Sequence, residues 1–210
     1  MRNRVITDGD VLSVMGSLKD FQQATVEYIF RRMYQDEDAT HRFLIADEVG
    51  LGKTLVARGL IAKAVHHLQH NEDVKRVDVV YICSNAEIAR QNIARLNILQ
   101  CDEFQLATRL TLLPTVLHNL KEHAVNFISF TPGTSFNLFS ALGMAEERAL
   151  LYHLLESEWS LHGEAPFNLF RGPMGKDNFK WHVRSFRNRN HIDATLADAF
   201  VATVRQHPEL

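Results

Sequence analysis

Apolar residues along the chain fall into a pattern that predicts alternating strands and helices. The short apolar runs at 43–46 and 77–83 are typical of buried strands; the second is rich in β-branched residues and apolar apart from Asp78. Between them, apolar residues have the spacing of one face of a helix, at positions 57, 60, 61, 64, 65 and 68. A strand, a helix and a second strand in this order predict a βαβ unit with parallel strands.

The flanking segments continue this pattern. Ser84 and Glu87 have the spacing of a capping box, which predicts a helix directly after the second strand, running to about residue 99. Asp193 is expected to cap a final helix. The other expected segments are a loose lead-in over 1–17, a helix over 18–34, a strand over 106–113, a short helix over 114–122, a strand over 125–131, a helix over 144–156 and an irregular stretch over 158–180. We therefore expect an α/β fold with a parallel sheet, helices on both of its faces, and a mostly helical appendage over 137–210.

A glycine-containing loop joins the first expected strand to the helix. Gly50 and Gly52 allow its backbone to turn and to approach a polyphosphate closely, and Lys53 and Thr54 open the helix. The first amides of a helix have no internal partners and face the positive end of its dipole, so they bind anions. Strand, glycine loop, Gly-Lys-Thr and helix together predict a phosphate-binding loop. The strict form of that motif has a glycine where this chain has Asp47, and the alternative is a chance Gly-Lys-Thr turn.

The segment ADEVGLGKT, residues 46–54, resembles the variant loop of superfamily-two helicases, and especially of the Swi/Snf-type ATPases, which carry A-D-E-x-G-x-G-K-T. The resemblance implies a RecA-like P-loop lobe, ATP and Mg²⁺ as cofactors, and ATP hydrolysis coupled to movement on DNA. It places Lys53 at the outer phosphates and the Thr54 hydroxyl on Mg²⁺, both as catalytic residues. The residues that it places around the nucleotide are Asp47, Glu48, Gly50, Gly52, Lys53 and Thr54.

An aromatic-glutamine pair lies about 30 residues before the loop lysine. Phe21 and Gln22 resemble the Q motif of the same helicases, in which a glutamine pairs with the edge of adenine and an aromatic residue packs nearby. The resemblance implies that Gln22 reads the base. The alternative is a plain amphipathic helix with a surface glutamine.

Two strand ends resemble the nucleic-acid motifs Ia and Ib of these helicases. The first is the corner at 84–90, where Ser84, Asn85 and Arg90 would contact phosphates. The second is Thr131-Pro132-Gly133-Thr134, in which Thr134 stands where many of these helicases have arginine. Its candidate contacts are Thr131, Gly133 and Thr134. A capped helix and an ordinary turn are the alternatives.

A basic stretch over 171–191 lies within the expected appendage. It holds six Lys or Arg residues against one acid, Asp177, with Phe179, Trp181 and Phe186 between them. Basic residues interleaved with aromatic ones are typical of nucleic-acid surfaces. A solvated helix face is the alternative.

Composition bounds these functions. The formal net charge of −2 provides no global basic field for nucleic acid, so DNA binding requires a local patch. Cys83 and Cys101 form no metal or disulfide pattern, which suits a reducing compartment, and no apolar run approaches the ~20 residues of a membrane span. No apolar segment of a signal peptide is visible near residue 1. We therefore expect a cytoplasmic protein with no membrane partner. The resemblance to superfamily-two helicases implies ATP as the ligand and DNA as a partner of the complete motor.

Of the three Asp-Glu pairs in the sequence, Asp102-Glu103 is the one that follows a strand-like segment, and we reject it as a Walker B motif. The pairs 36–37 and 47–48 lie in a polar turn and in the phosphate loop, and Asp102-Glu103 follows polar Gln100 without a turn after the preceding helix. The resemblance covers 18–136 and includes no second lobe with an arginine finger. We therefore expect the first part of a larger motor, as a fragment or a truncated product. The alternatives are a nucleotide-binding remnant or regulator that hydrolyses nothing and, with less support, a P-loop kinase.

Overall fold

The computed structural model describes residues 5–98, 105–106, 110–115, 120, 122–131, 142–188 and 192–207. The fold is mixed α/β and mostly helical, with a small parallel sheet. Contacts between residues divide the chain into two compact units, one formed by 1–106 with 121–131 and the other by 107–120 with 132–210. No helix within the described ranges has the length and apolar character that a membrane span needs.

In its described residues, the first unit contains four helices and the sheet. Its described elements are α1 (Asp8–Gly16), α2 (Asp20–Tyr34), α3 (Lys53–Gln69), β1 (Val77–Ile82), α4 (Ala86–Leu96), β2 (Gln105–Leu106) and β3 (Val125–Phe130). β1 pairs with β3 in parallel over its whole length, with Val77 opposite Val125, and the two residues of β2 pair in parallel along the other side of β3. The expected helix α3 and the expected strands at 77–83 and 125–131 are thereby confirmed.

The core of this unit lies between the sheet and helices α3 and α4. Alternate residues of β1, among them Val79 and Tyr81, pack against a buried cluster formed by α1, α3, α4 and β3, which includes Val14, Ala62, Val65, Ile93, Leu96 and Phe127. The other residues of β1 point away from this cluster, and Val80 and Ile82 are 49 % and 57 % exposed. The described helices therefore cover one face of β1, and helices on both faces are not confirmed.

The apolar run at 43–46 does not form the strand that we expected. These residues have no strand conformation, and Leu44 is 82 % exposed. The Phe43 ring packs edge-on against Tyr28 of α2, with ring centroids 5.9 Å apart, and Ile45 packs against a cluster formed by α2 and α3. Short apolar runs do not distinguish a strand from a segment that packs on helices, which is why the prediction was wrong.

The described part of the expected loose lead-in over 1–17 is not loose, because it contains α1. Thr7 caps this helix: its hydroxyl accepts a hydrogen bond from the Asp10 amide at 3.2 Å, and the Asp10 carboxylate accepts one from the Thr7 amide at 3.0 Å. Ile6 and Val14 are buried in the core of the unit. The Thr-x-x-Asp spacing was the missed signal, since reciprocal bonds of this kind mark a helix start.

Two other boundaries differ from the expected ones. The cap of α4 is Asn85 rather than Ser84, because the Asn85 side chain accepts hydrogen bonds from the amides of Glu87 and Ile88 at 2.9 and 3.1 Å. Of the strand expected over 106–113, Leu106 lies in β2, and residues 110–113 lie in a 3₁₀ helix, Leu110–Thr115. Most of the helix expected over 114–122 lies outside the described residues.

The second unit is helical in its described part. Its helices are α5 (Ala145–Leu155), α6 (Glu164–Arg171), α7 (Lys176–Asn188) and α8 (Ala194–Gln206), and α8 is capped by Asp193 as expected. The stretch 158–180 is not irregular. Gly163 and Gly172, with φ of +89° and +56°, stand immediately before and after α6, and Pro166 lies in its first turn, where proline is tolerated.

The stability of the second unit is expected to depend on the protonation of His153 in α5. Burial lowers the pKa of His153, and Arg187 lowers it further, against an opposing effect of Glu156. The unfolded chain therefore takes up this proton first, so stability is complete above the unfolded pKa of about 6.5 and falls as the pH drops below it. Thermal unfolding between pH 7.5 and 5 should show a weaker pH dependence in His153→Gln than in the wild type. Equal slopes for the two proteins would contradict this account.

Candidate functional site

Two glycines with positive φ shape the loop before α3. Gly50 and Gly52 have φ of +92° and +84°, in the left-handed region that favours glycine. Gly52 is the N-cap of α3, and its carbonyl accepts hydrogen bonds from the amides of Leu55 and Val56. The loop is thus followed directly by a 17-residue helix whose first residues are Lys53 and Thr54.

A cavity of about 620 Å³ opens beside this loop. The residues that line it are Val49, Gly50, Gly52, Lys53, Thr54, Leu55, Arg58 and Arg95. Three of them are cations and none is a carboxylate, so the lining is suited to an anion. Four of the six loop residues that the sequence predicted, namely both glycines, Lys53 and Thr54, therefore share one cavity.

The Lys53 side chain folds back onto the loop. Its Nζ donates to the backbone carbonyls of Asp47 and Glu48, at 2.6 and 2.8 Å. The side chains of Asp47 and Glu48 are exposed and do not line the cavity. A ligand phosphate that engages Lys53 would have to replace these two carbonyls, which are neutral acceptors, with a charged one.

Gln22 lies directly beneath the loop. Its side chain is 4 % exposed, and its Nε2 donates to the carbonyl of Leu51 at 2.9 Å, while its Oε1 accepts from the amide of Lys19 at 3.0 Å. The structure therefore brings this residue to the loop, in contact with protein atoms. Phe21 is about half exposed on the outer side of α2. The adenine-reading role of this pair stays a prediction.

Arg58 and Arg95 are cavity residues that the sequence analysis missed. Arg58 lies four residues after Thr54, and helical spacing places both on one face of α3. The sequence alone could therefore have identified Arg58 as a neighbour of the loop. Arg95 lies in the last turn of α4 and reaches the cavity because α3 and α4 pack together. No local pattern predicts that packing.

Magnesium has one candidate protein ligand here, the Thr54 hydroxyl. In the described part of the chain, no group of three or more His, Cys, Asp or Glu side chains is placed to hold a metal ion. Mg²⁺ commonly keeps its waters and binds through substrate phosphates with few protein ligands. The lining therefore fits a Mg²⁺ ion that arrives with a nucleotide. Asp102 and Glu103 lie outside the described residues.

The candidate nucleic-acid residues are only partly placed. Ser84, Asn85 and Arg90 are exposed at the start of α4, although the Asn85 side chain already caps the helix. Thr131 is buried, which does not favour a contact between its hydroxyl and DNA. Gly133 and Thr134 lie outside the described residues.

The basic stretch over 171–191 contains the whole of α7 and is less available than its composition suggests. Phe179 and Phe186 are buried in the core of the second unit, so neither ring is available to stack on a nucleic-acid base. Trp181 is 61 % exposed. Lys176 and Arg187 form ion pairs with Glu164 and Glu156, whereas Lys180 and Arg184 are exposed.

Comparison of the chain with protein families, with curated proteins and with solved structures gave no match. A functional interpretation therefore depends on the chemistry of the loop and its cavity. That chemistry is an exposed helix N-terminus, two left-handed glycines and three cations within one space.

Proposed function

We propose that this chain binds Mg²⁺-ATP at residues 47–54 and is the ATP-binding part of a DNA-dependent ATPase of the Swi/Snf type, within superfamily two. In the complete motor, ATP hydrolysis would drive movement on DNA. The observation that carries the proposal is the pair of left-handed glycines that open α3 into a cavity lined by Lys53 and Thr54. The parallel pairing of β1 with β3 is compatible with a RecA-like lobe, and such a lobe is part of the proposal.

In the proposed binding mode, the start of α3 binds the phosphates and the magnesium ion of the nucleotide. The free amides at the start of α3 bind phosphate oxygens, aided by the helix dipole. Lys53 leaves the carbonyls of Asp47 and Glu48 and donates to the outer phosphates. The Thr54 hydroxyl contributes one ligand to the magnesium ion that accompanies the nucleotide. DNA contacts in the complete motor are proposed for the exposed side chains of Ser84 and Arg90.

Replacing Lys53 with alanine is expected to weaken ATP binding about tenfold or more, because charge-assisted hydrogen bonds to phosphate contribute ~1.5–3 kcal/mol. Titration of a fluorescent ATP analogue into both proteins measures this difference. Lys63→Ala is the matched control, since Lys63 lies on the same helix, pairs with Glu27 at 2.5 Å and does not line the cavity. Equal affinity of the wild type and Lys53→Ala would refute the proposed site.

A second candidate function is nucleotide binding without hydrolysis. The observation that favours it is the lining of the cavity, in which no carboxylate is found among the described residues. Phosphoryl transfer to water needs a group that orients the attacking water, and a cation at the transferring phosphate can contribute ~10³-fold or more. The loop supplies the phosphate-binding backbone and one metal ligand. It does not supply either of the two acids that a Walker B pair would provide.

The purified chain is therefore expected to release phosphate from ATP far more slowly than about 1 s⁻¹, a rate within the usual enzyme range, with or without duplex DNA. Steady-state phosphate release is the measurement, with Lys53→Ala as the background. DNA-stimulated turnover near 1 s⁻¹ that disappears in Lys53→Ala would overturn this prediction. In that case Asp102→Ala and Glu103→Ala would be tested next, since each should abolish the activity.

A further inference from the structure

The cavity beside the loop contains more positive charge than the phosphate-loop motif accounts for. Lys53 belongs to that motif, but Arg58 and Arg95 do not, and both line the same space. They come from two different helices, α3 and α4, so tertiary packing brings them together. Clustered cations repel one another, and an anion placed between them removes that repulsion.

Arg58 in particular lacks a partner for part of its guanidinium group. Its Nε is shielded from solvent and has no hydrogen-bond partner among the described residues. Buried donors in proteins are normally satisfied, and one that is not marks a place for a missing acceptor. A guanidinium is a planar fork that matches the oxygens of a phosphate.

Arg95 is exposed and has no ion pair with any described carboxylate. In contrast, Arg32, Arg76, Arg187 and Arg205 each pair with an acid. Arg95 is therefore available to a ligand in the cavity without breaking an existing ion pair.

We propose that Arg58 and Arg95 bind phosphate oxygens of the nucleotide and form a second anion subsite next to the phosphate loop. The proposal rests on the proposed function, because it assigns further residues to the same ligand. The subsite selects ligands by their negative charge, so nucleoside triphosphates and inorganic triphosphate bind it, and adenosine does not.

Binding of Mg²⁺-ATP, inorganic triphosphate and adenosine to wild type, Arg58→Gln and Arg95→Gln tests the subsite. Each variant is expected to weaken both charged ligands about tenfold, as expected for loss of a charge-assisted contact, and to reduce the salt dependence of their binding. Arg58→Lys should restore part of the affinity, since charge returns without the planar fork. Lys63→Gln removes a cation of α3 outside the cavity and should leave all affinities unchanged.

Thermal unfolding of each variant separates loss of the ligand contact from loss of the fold. Because Arg95 is exposed, Arg95→Gln should retain the wild-type melting temperature even if Arg58→Gln does not.

Unchanged ATP and triphosphate affinity in Arg95→Gln and Arg58→Gln, with weakened binding in Lys53→Ala, would overturn the subsite and leave the ATP site intact. Binding of triphosphate without ATP would refute the nucleotide function and retain an anion site. If the wild type binds neither ligand, both proposals fail.

Discussion

Replacing Gly52 with alanine is expected to lower the free energy of unfolding by about 2–5 kcal/mol and to reduce ATP binding below detection. Two effects combine. A side chain at φ +84° costs ~1–2 kcal/mol, and the new Cβ would lie 2.4 Å from Nε2 of Gln22, so that amide must move and leave the Leu51 carbonyl, at a cost of ~1–3 kcal/mol. Denaturant unfolding and ATP titration of the variant measure both effects.

Gly50 and Gly16 provide matched controls for Gly52→Ala. Gly50 has a φ of +92° and open space where a Cβ would lie, so Gly50→Ala should show the backbone strain alone. Gly16→Ala has neither strain nor collision and should be close to neutral. In the double variant Gly52→Ala with Gln22→Ala the collision disappears, so its destabilisation should be smaller than the sum of the two single effects. Additive effects, or equal losses for Gly52→Ala and Gly50→Ala, would contradict the contact between Gln22 and the loop.

Replacing Gln22 with alanine is expected to destabilise the protein by about 1–3 kcal/mol, because the Leu51 carbonyl and the Lys19 amide both lose a partner. The Q motif implies that Gln22 also reads the base. We therefore expect Gln22→Ala to lose more affinity for ATP than for GTP. Chemical denaturation gives the first quantity, and competition titrations with the two nucleotides give the second.

Gln23→Ala is the control for Gln22→Ala. The Gln23 Nε2 also donates to backbone carbonyls, those of Met15 and Leu18 at 3.1 Å each, and neither carbonyl belongs to the loop. Gln23→Ala should therefore cost stability and leave nucleotide affinity unchanged. Parallel losses of ATP and GTP affinity in Gln22→Ala would assign Gln22 to holding the loop and remove it from base recognition.

Local patterns predicted the parts of the fold whose causes are local. The helical spacing after Lys53 predicted α3, and the β-branched run near residue 80 predicted β1, because amphipathic spacing and β-propensity act within a single element. The glycines of the loop were likewise identified from the sequence, because a left-handed backbone at Gly50 and Gly52 is a property of the residue type.

The features that the sequence did not predict depend on tertiary packing. The segment 43–46 is apolar, but whether it pairs in a sheet or packs on α2 is decided by its neighbours. Gln22 contacts the loop, and Arg95 joins the cavity, only once α2, α3 and α4 have packed. The burial of Phe179 in the basic stretch also depends on tertiary packing, because its helix α7 packs against α5 to form the core of the second unit.

Hydrogen–deuterium exchange with and without Mg²⁺-ATP tests the location of the ATP site most directly. The account predicts that ATP slows exchange of the amides at 49–55, a segment that contains six of the cavity-lining residues and opens α3. It predicts that the amides of α8 in the second unit exchange at an unchanged rate. The same protection should be absent in Lys53→Ala at equal ATP concentration. Unchanged exchange over 49–55 in the wild type at ATP concentrations that saturate binding would contradict the central claim.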